Sequence, residues 1–119
     1  MARPPLGTHL LLDLRGVAPA MLDDHELVAE LLAEAATEGG ATVVQTCMHR
    51  FEPHGVSGVV VLAESHVAVH TWPELGVASV DVFTCGLPAI ADAVVARVIA
   101  TFAPTEHAIE RIDRLPEDR

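Results

Sequence analysis

Residues 55–74 read Gly-Val-Ser-Gly-Val-Val-Val-Leu-Ala-Glu-Ser-His-Val-Ala-Val-His-Thr-Trp-Pro-Glu. This stretch contains two short apolar runs rich in valine, Gly58–Ala63 and His66–Thr71, and β-branched residues favour strands. Similar runs precede and follow it at Thr42–Arg50 and Ala78–Phe83, and proline and glycine residues separate the runs. The central part of the chain is therefore predicted to be a meander of four short strands.

Further elements are predicted on both sides of the meander. A strand covers Thr8–Val17, and after it leucines recur at helical spacing until Gly39-Gly40, which ends the helix. Asp23-Asp24, near the start of the leucine pattern, favours a helix N-terminus there. After the meander, the amphipathic run Pro88–Phe102 predicts a second helix, and the alternating segment His107–Ile112 predicts a last strand.

The element order β-α-β-β-β-β-α-β predicts an α+β fold. We expect a two-layer sandwich in which a mainly antiparallel sheet carries two helices on one face. At 119 residues the chain fits one domain, so residues 1–119 are assigned to a single unit. The other face of the sheet is then uncovered, and we expect an apolar face of that size to pack against a second copy, sheet against sheet, as a homodimer.

The charge and the cysteine content limit the partners of the chain. The formal net charge of −10 argues against nucleic-acid binding, which needs Lys and Arg to neutralise phosphates. It suits a cationic small molecule as substrate. The sequence shows no signal peptide and no apolar stretch of membrane-spanning length, and its only cysteines are Cys47 and Cys85. We therefore expect a cytoplasmic protein without a membrane partner or a disulfide.

The residue types in 55–74 allow nucleophilic chemistry. Ser57 or Ser65 is a candidate nucleophile, with His66 or His70 as its base. Serine and histidine side by side in strands are also typical of a cross-strand hydrogen bond that has no catalytic role. Spacing alone does not separate these two interpretations.

Four histidines, His49, His54, His66 and His70, lie close together in the sequence. Zinc sites combine clustered His and Cys residues at characteristic spacings. These four match no such spacing, so we expect no metal site.

Several separate motifs resemble those of one known family. They are Glu64-Ser65-His66, His70-Thr-Trp-Pro-Glu74, Phe-Thr-Cys-Gly at 83–86 and His-Arg-Phe at 49–51. In order and spacing they are similar to the small prokaryotic class of S-adenosylmethionine decarboxylase proenzymes. The resemblance implies that the chain cuts itself between Glu64 and Ser65. It also implies that Ser65 becomes a pyruvoyl cofactor at the new N-terminus.

The resemblance implies roles for individual residues as well. Ser57 matches the position that hydrogen-bonds the reacting carbonyl, and His70 matches the residue that removes the Cα proton of the ester intermediate. Cys85 matches the donor that protonates the substrate carbon. Phe51 matches an aromatic residue that stacks on adenine, and Glu74 matches a carboxylate that binds the ribose hydroxyls. In this family the pocket lies at a subunit boundary.

Self-cleavage needs a strained peptide, because an ordinary trans amide resists attack. Regular alternation along one strand would point Ser65 and His70 to opposite faces of the sheet. We therefore expect Glu64-Ser65 to lie in a bend before that strand.

The chain departs from the family pattern in two places. Leu75-Gly76-Val77 stands where the family commonly has aromatic residues, and Thr8 stands where it usually has a basic residue. Phe51 and Glu74 favour S-adenosylmethionine as the substrate, with a product that serves as the aminopropyl donor in polyamine (spermidine) biosynthesis. Two alternatives stay open: the same pyruvoyl chemistry on L-ornithine or L-arginine, and an unprocessed, non-catalytic regulatory relative.

Overall fold

The computed structural model describes residues 5–116. Within this range, no helix is both long enough and apolar enough to cross a membrane. The elements are β1 (Gly7–Arg15), α1 (Pro19–Leu22), α2 (His25–Glu38), β2 (Val43–Arg50), β3 (Val56–Leu62), β4 (Ser65–Trp72), a 3₁₀ turn (Pro73–Leu75), β5 (Val77–Cys85), α3 (Pro88–Phe102) and β6 (Glu106–Arg114).

The first predicted helix is in fact two helices, the four-residue α1 and the 14-residue α2. Asp24 separates them, because its backbone is extended and its Oδ1 accepts a hydrogen bond from the Leu27 N–H at 3.1 Å. This N-cap interaction starts α2. Asp23 has a different partner: its carboxylate accepts a hydrogen bond from Gly55, just before β3.

The six strands form one antiparallel sheet in the order β2-β3-β4-β5-β1-β6. The chain's first strand, β1, lies between β5 and β6. In the middle of the sheet, Val67 of β4 is opposite Val60 of β3 on one side and Val82 of β5 on the other. The predicted mainly antiparallel sheet is confirmed.

The core lies between one face of this sheet and the helices α2 and α3. Alternate residues of the central strands point into it, so both long helices cover the same face, as predicted. The largest side chains that are almost completely buried include Leu12, Leu14, Leu32 and Phe102. The fold is thus the expected two-layer α+β sandwich.

The opposite face, here called the outer face, carries Ser57, His66, His70, Asp81 and Phe83. These residues are cross-strand or alternate neighbours on β3, β4 and β5. Within residues 5–116 no helix covers this face. It also carries valines and alanine, so it is mixed rather than purely apolar. Burial of polar groups among apolar neighbours costs free energy unless the groups form hydrogen bonds or take part in binding or catalysis. The outer face is therefore a candidate location for a functional site.

Candidate active site

The Glu64-Ser65 peptide lies at the tip of the β3-β4 hairpin. Ala63 and Glu64 form a turn, so Glu64 lies before the strand as expected, whereas Ser65 is already the first residue of β4. Ser65 has a φ of +151°, a value that residues with a side chain rarely adopt. The backbone is therefore strained at the expected cleavage point.

Glu64 is held by two backbone donors. Its carbonyl oxygen accepts a hydrogen bond from the Cys85 N–H at 2.8 Å, and its Oε1 accepts one from the Thr42 N–H at 2.9 Å. The bond from Cys85 polarises the Glu64 carbonyl and can stabilise negative charge on its oxygen. The sequence did not predict the Cys85 N–H as a donor, because every residue except proline has a backbone N–H and the residue type does not show where it points.

Further polar groups surround Ser65. Its Oγ lies 3.2 Å from Nδ1 of His66. Across the sheet Ser65 pairs with Thr84, which is 1% exposed and whose Oγ1 has no hydrogen-bond partner among the described residues. A buried hydroxyl without a partner is unfavourable, and such groups are few in folded proteins.

Cys85 is the last residue of β5, and its thiol is free and exposed. Its backbone N–H donates to the Glu64 carbonyl while its side chain is open to solvent, so a thiol is available beside the expected cleavage point. Cys47, on β2, is also free and exposed. Among the described residues, no three His, Cys, Asp or Glu side chains come close enough together to hold a metal ion.

Ser57 and His70 are directly opposite each other on β3 and β4. Ser57 Oγ lies 2.9 Å from His70 Nδ1. Within one chain Ser57 is thus bound to His70 rather than to the Glu64 carbonyl. Taken alone, this contact matches the cross-strand hydrogen bond that was one interpretation of the residue pattern.

Phe51 and Glu74 lie at the end of the sheet away from Ser65. Phe51 is 46% exposed, and its ring packs edge-on against His49 with 4.6 Å between the ring centroids. Glu74 lies in the 3₁₀ turn after β4, and its Oε1 is 3.3 Å from Nε2 of His54. This contact joins the loop that carries Phe51 to the turn that carries Glu74.

The β2-β3 loop, residues 51–55, is fixed by Asp23 and Arg50. Asp23 Oδ1 accepts a hydrogen bond from the Gly55 N–H at 2.9 Å, and its Oδ2 accepts one from Arg50 Nη2 at 3.0 Å. Arg50 Nε also donates to the Asp23 carbonyl at 3.2 Å. The hydrogen bond from Gly55, supported by Arg50, lowers the pKa of Asp23 below its ordinary value.

The candidate residues form two groups within one chain. Ser65 and His70 are five residues apart in β4, which places their Cα atoms about 17 Å apart at about 3.4 Å per residue. A groove of about 450 Å³ beside α2 contains none of the candidate residues. We call Ser65 and Cys85 the tip group, and Phe51, Ser57, His70 and Glu74 the far-end group.

A family model described as S-adenosylmethionine decarboxylase matches residues 8–115. The chain belongs to the S-adenosylmethionine decarboxylase family. This confirms the resemblance that the motifs indicated, and the match extends well beyond the segment that contains them.

Curated relatives in this family are similar over part of their length. The S-adenosylmethionine decarboxylase proenzyme of Moorella thermoacetica is 54% identical over 81 residues, which are 68% of this chain and 65% of that protein. The proenzyme of Pelotomaculum thermopropionicum is 56% identical over 81 residues, 68% of this chain and 64% of its own length. The chain thus spans somewhat less than two thirds of these relatives.

Solved structures of the family share the fold. The crystal structure of the adenosylmethionine decarboxylase from Aquifex aeolicus VF5 matches with a TM-score of 0.88 and 39% identity, over 94% of this chain and 92% of that one. The Trypanosoma brucei AdoMetDC-delta26 monomer matches with a TM-score of 0.61 and 17% identity, over 86% of this chain and 44% of that one. At 17% identity, the second match shows only that the two proteins share a fold.

Removal of the Asp23 carboxylate should loosen the loop that carries Phe51. We expect Asp23→Ala to melt at a lower temperature than the wild type at neutral pH, because the Gly55 N–H loses its acceptor and Arg50 loses its ion pair with the carboxylate. The native-state pKa of Asp23 lies below the ordinary 3.8. Its ionised form therefore stabilises the fold above that pH, and this contribution is lost as the pH falls through the native-state pKa.

The difference in melting temperature between wild type and Asp23→Ala should accordingly narrow below pH 3.8. Thermal unfolding followed by circular dichroism over a pH series measures it. Glu34→Ala removes an exposed carboxylate from α2 and is the control. A difference in melting temperature that stays constant as the pH is lowered below 3.8 would contradict the assigned role of Asp23.

Proposed function

We propose that this chain is a cytoplasmic, self-processing, pyruvoyl-dependent decarboxylase that acts on S-adenosylmethionine and supplies the aminopropyl donor for spermidine synthesis. Family membership supports the proposal, since curated relatives are named S-adenosylmethionine decarboxylase proenzymes. The observation that carries it is the geometry at Glu64-Ser65. There a strained serine follows a carbonyl that already accepts a hydrogen bond from Cys85.

Self-processing begins when Ser65 Oγ attacks the carbonyl carbon of Glu64. The Cys85 N–H stabilises the developing oxyanion, the amide C–N bond breaks, and an ester joins Glu64 to Ser65 Oγ. Removal of the Ser65 Cα proton then expels the Glu64 carboxylate by β-elimination. The dehydroalanine at position 65 is hydrolysed to a pyruvoyl group with release of ammonia, and the products are residues 1–64 and 65–119.

Decarboxylation of an amino acid needs an electron sink. A pyruvoyl group at position 65 supplies a conjugated carbonyl that takes up the substrate amine and accepts the electrons released with CO₂. These 119 residues include no lysine, since all seven basic residues are arginine, so this chain offers no lysine for a Schiff-base cofactor such as pyridoxal phosphate. The exposed Cys85 thiol beside position 65 suits the donor of the proton that replaces CO₂.

We further propose that the substrate site is completed by a second chain. The eight residues of β4 extend about 24 Å, so His70 and Glu74 cannot reach Ser65 of their own chain. When two outer faces pack in antiparallel orientation, the far-end group of one chain meets the tip group of the other. The homodimer then has two identical sites, each with residues from both chains.

The far-end group suits a cationic nucleoside. The exposed Phe51 ring can stack on adenine, and Glu74 can accept hydrogen bonds from ribose hydroxyls while His54 holds its Oε1. Aromatic faces and a net charge of −10 attract the sulfonium cation. Ornithine and arginine have neither adenine nor ribose and would leave Phe51 and Glu74 without a partner.

Loss of the Ser65 hydroxyl should abolish processing and activity together. Intact-mass spectrometry of the wild type should show residues 1–64 and a piece 65–119 that has lost the serine amine. Ser65→Ala should remain one chain and release no CO₂ from S-adenosylmethionine. Thr46→Ala, which removes an exposed hydroxyl from β2, is the control and should process normally. An active Ser65→Ala variant would contradict the mechanism.

Substrate choice is tested by CO₂ release from S-adenosylmethionine, L-ornithine and L-arginine in parallel. We expect release from S-adenosylmethionine alone. Phe51→Ala should raise KM about tenfold, since stacking of a base on an aromatic ring contributes about 1–3 kcal/mol, while leaving the cleaved pieces unchanged. Release of CO₂ from ornithine or arginine, with none from S-adenosylmethionine, would reject the assigned substrate.

The shared site predicts complementation between two inactive variants. Ser65→Ala retains an intact far-end group, and His70→Ala retains an intact tip group. Co-expression should therefore produce mixed dimers in which one of the two sites is complete. That site combines Ser65 of the His70→Ala chain with His70 of the Ser65→Ala chain, so only the His70→Ala chain should be processed. Separately purified variants, each assayed alone, are the control. Failure of co-expressed chains to process, although mixed dimers are isolated, would show that the site lies within one chain.

A further inference from the structure

Neighbouring side chains in a strand normally point to opposite faces, yet the side chains of Ser65 and His66 are in contact. Ser65 Oγ lies 3.2 Å from His66 Nδ1. The contact coincides with the φ of +151° at Ser65, a backbone conformation outside the regular strand. The unusual backbone conformation of Ser65 thus occurs together with the contact between its hydroxyl and the His66 imidazole.

The His66 ring is packed on the outer face. It lies parallel to the Phe83 ring, with an interplanar angle of 6° and 5.9 Å between the centroids. The His9 ring meets Phe83 edge-on at 5.5 Å, and the Arg114 guanidinium lies 5.7 Å from the Phe83 centroid. The stacking on Phe83 restricts the orientation of the imidazole, while His9 and Arg114 pack against Phe83 itself. Less conformational freedom is then left for the imidazole to lose in the reaction.

The reacting carbonyl is fixed on the other side of the same peptide. The Cys85 N–H donates to the Glu64 oxygen at 2.8 Å. A nucleophile, an imidazole within hydrogen-bond distance of it, and an oxyanion donor are therefore present together in a single chain. This is the combination of groups that acyl transfer requires.

We propose that His66 is the general base of the first step of self-processing, an assignment that rests on the proposed function. With its proton on Nε2, the neutral imidazole accepts the Ser65 hydroxyl proton at Nδ1 while Oγ bonds to the carbonyl carbon of Glu64. The carbonyl electron pair moves to the oxygen. When the C–N bond breaks, His66 returns the proton to the Ser65 nitrogen. An ester and a free amine result, with no net gain or loss of protons.

The assignment separates the tasks of the two histidines on β4. His66 is adjacent to Ser65, whereas His70 lies about 17 Å away along the same strand. Ester formation then takes place within one chain, while ester breakdown by His70 requires the partner. The two steps can therefore be observed separately.

The experiment traps the ester with hydroxylamine. In a His70→Ala chain, which cannot carry out β-elimination, hydroxylamine should release residues 1–64 and a piece that begins with intact Ser65. Adding His66→Phe keeps a ring against Phe83 but removes both nitrogens. Cleavage by hydroxylamine should then slow about 100-fold or more, because general-base catalysis contributes about 10²–10⁴ in rate. The rate of cleavage is measured from intact mass spectra recorded at a series of times.

The matched control is His107→Ala in the same His70→Ala background, which removes an exposed histidine from β6 and should leave cleavage unchanged. Added imidazole should restore cleavage to a His66→Ala, His70→Ala chain, which a purely structural role of His66 would not allow. Circular dichroism verifies that each variant is folded. Unchanged cleavage in the folded His66→Phe variant would overturn the assignment. Absence of any cleavable ester in His70→Ala, with an uncut wild type, would instead overturn the proposed function.

Discussion

The antiparallel register of β3, β4 and β5 positions the tip group and the Ser57–His70 pair. It places Ser65 opposite Thr84, and it brings the Glu64 carbonyl to the Cys85 N–H. The same register sets Ser57 opposite His70. Because side chains alternate, a slip by one residue would move each of them to the other face of the sheet. The chemistry proposed for the hairpin tip therefore depends on how the strands pair.

Core packing holds this register against the strain at Ser65. Val67, Val69, Val80 and Val82 are almost completely buried in the two central strands. Each contributes about 1.5–3 kcal/mol when removed from water, whereas an unfavourable backbone conformation costs about 1–3 kcal/mol. The valines together outweigh the strain several times over. A strained backbone at Ser65 is thus compatible with a stable fold.

Much of the fold could be predicted from the sequence, because periodicity reports on the faces of strands and helices. The strands, the second long helix and the two-layer arrangement follow from runs such as Gly58–Ala63 and Pro88–Phe102. The break between α1 and α2 could not be placed, since two adjacent aspartates offer the same cap signal and only the structure shows that Asp24 is the cap. The link between Asp23 and Arg50 joins residues 27 positions apart, and no local pattern marks it.

The sequence motifs name the candidate residues, but they do not show how far apart those residues lie in one chain. The motifs identify Ser65, His70 and Cys85, and the family resemblance implies their roles. One chain places Cys85 at the end of β5 beside Glu64-Ser65, but it places His70 about 17 Å from Ser65 along β4. The proposed mechanism requires that residue 65 becomes the carbonyl that receives the substrate. Reductive trapping detects this carbonyl: the purified protein is incubated with S-adenosylmethionine and cyanoborohydride, and its pieces are analysed by mass spectrometry. We predict a single adduct, of the substrate or its decarboxylated product, on the first residue of 65–119. An intact chain without an adduct, or an adduct confined to residues 1–64, would contradict it.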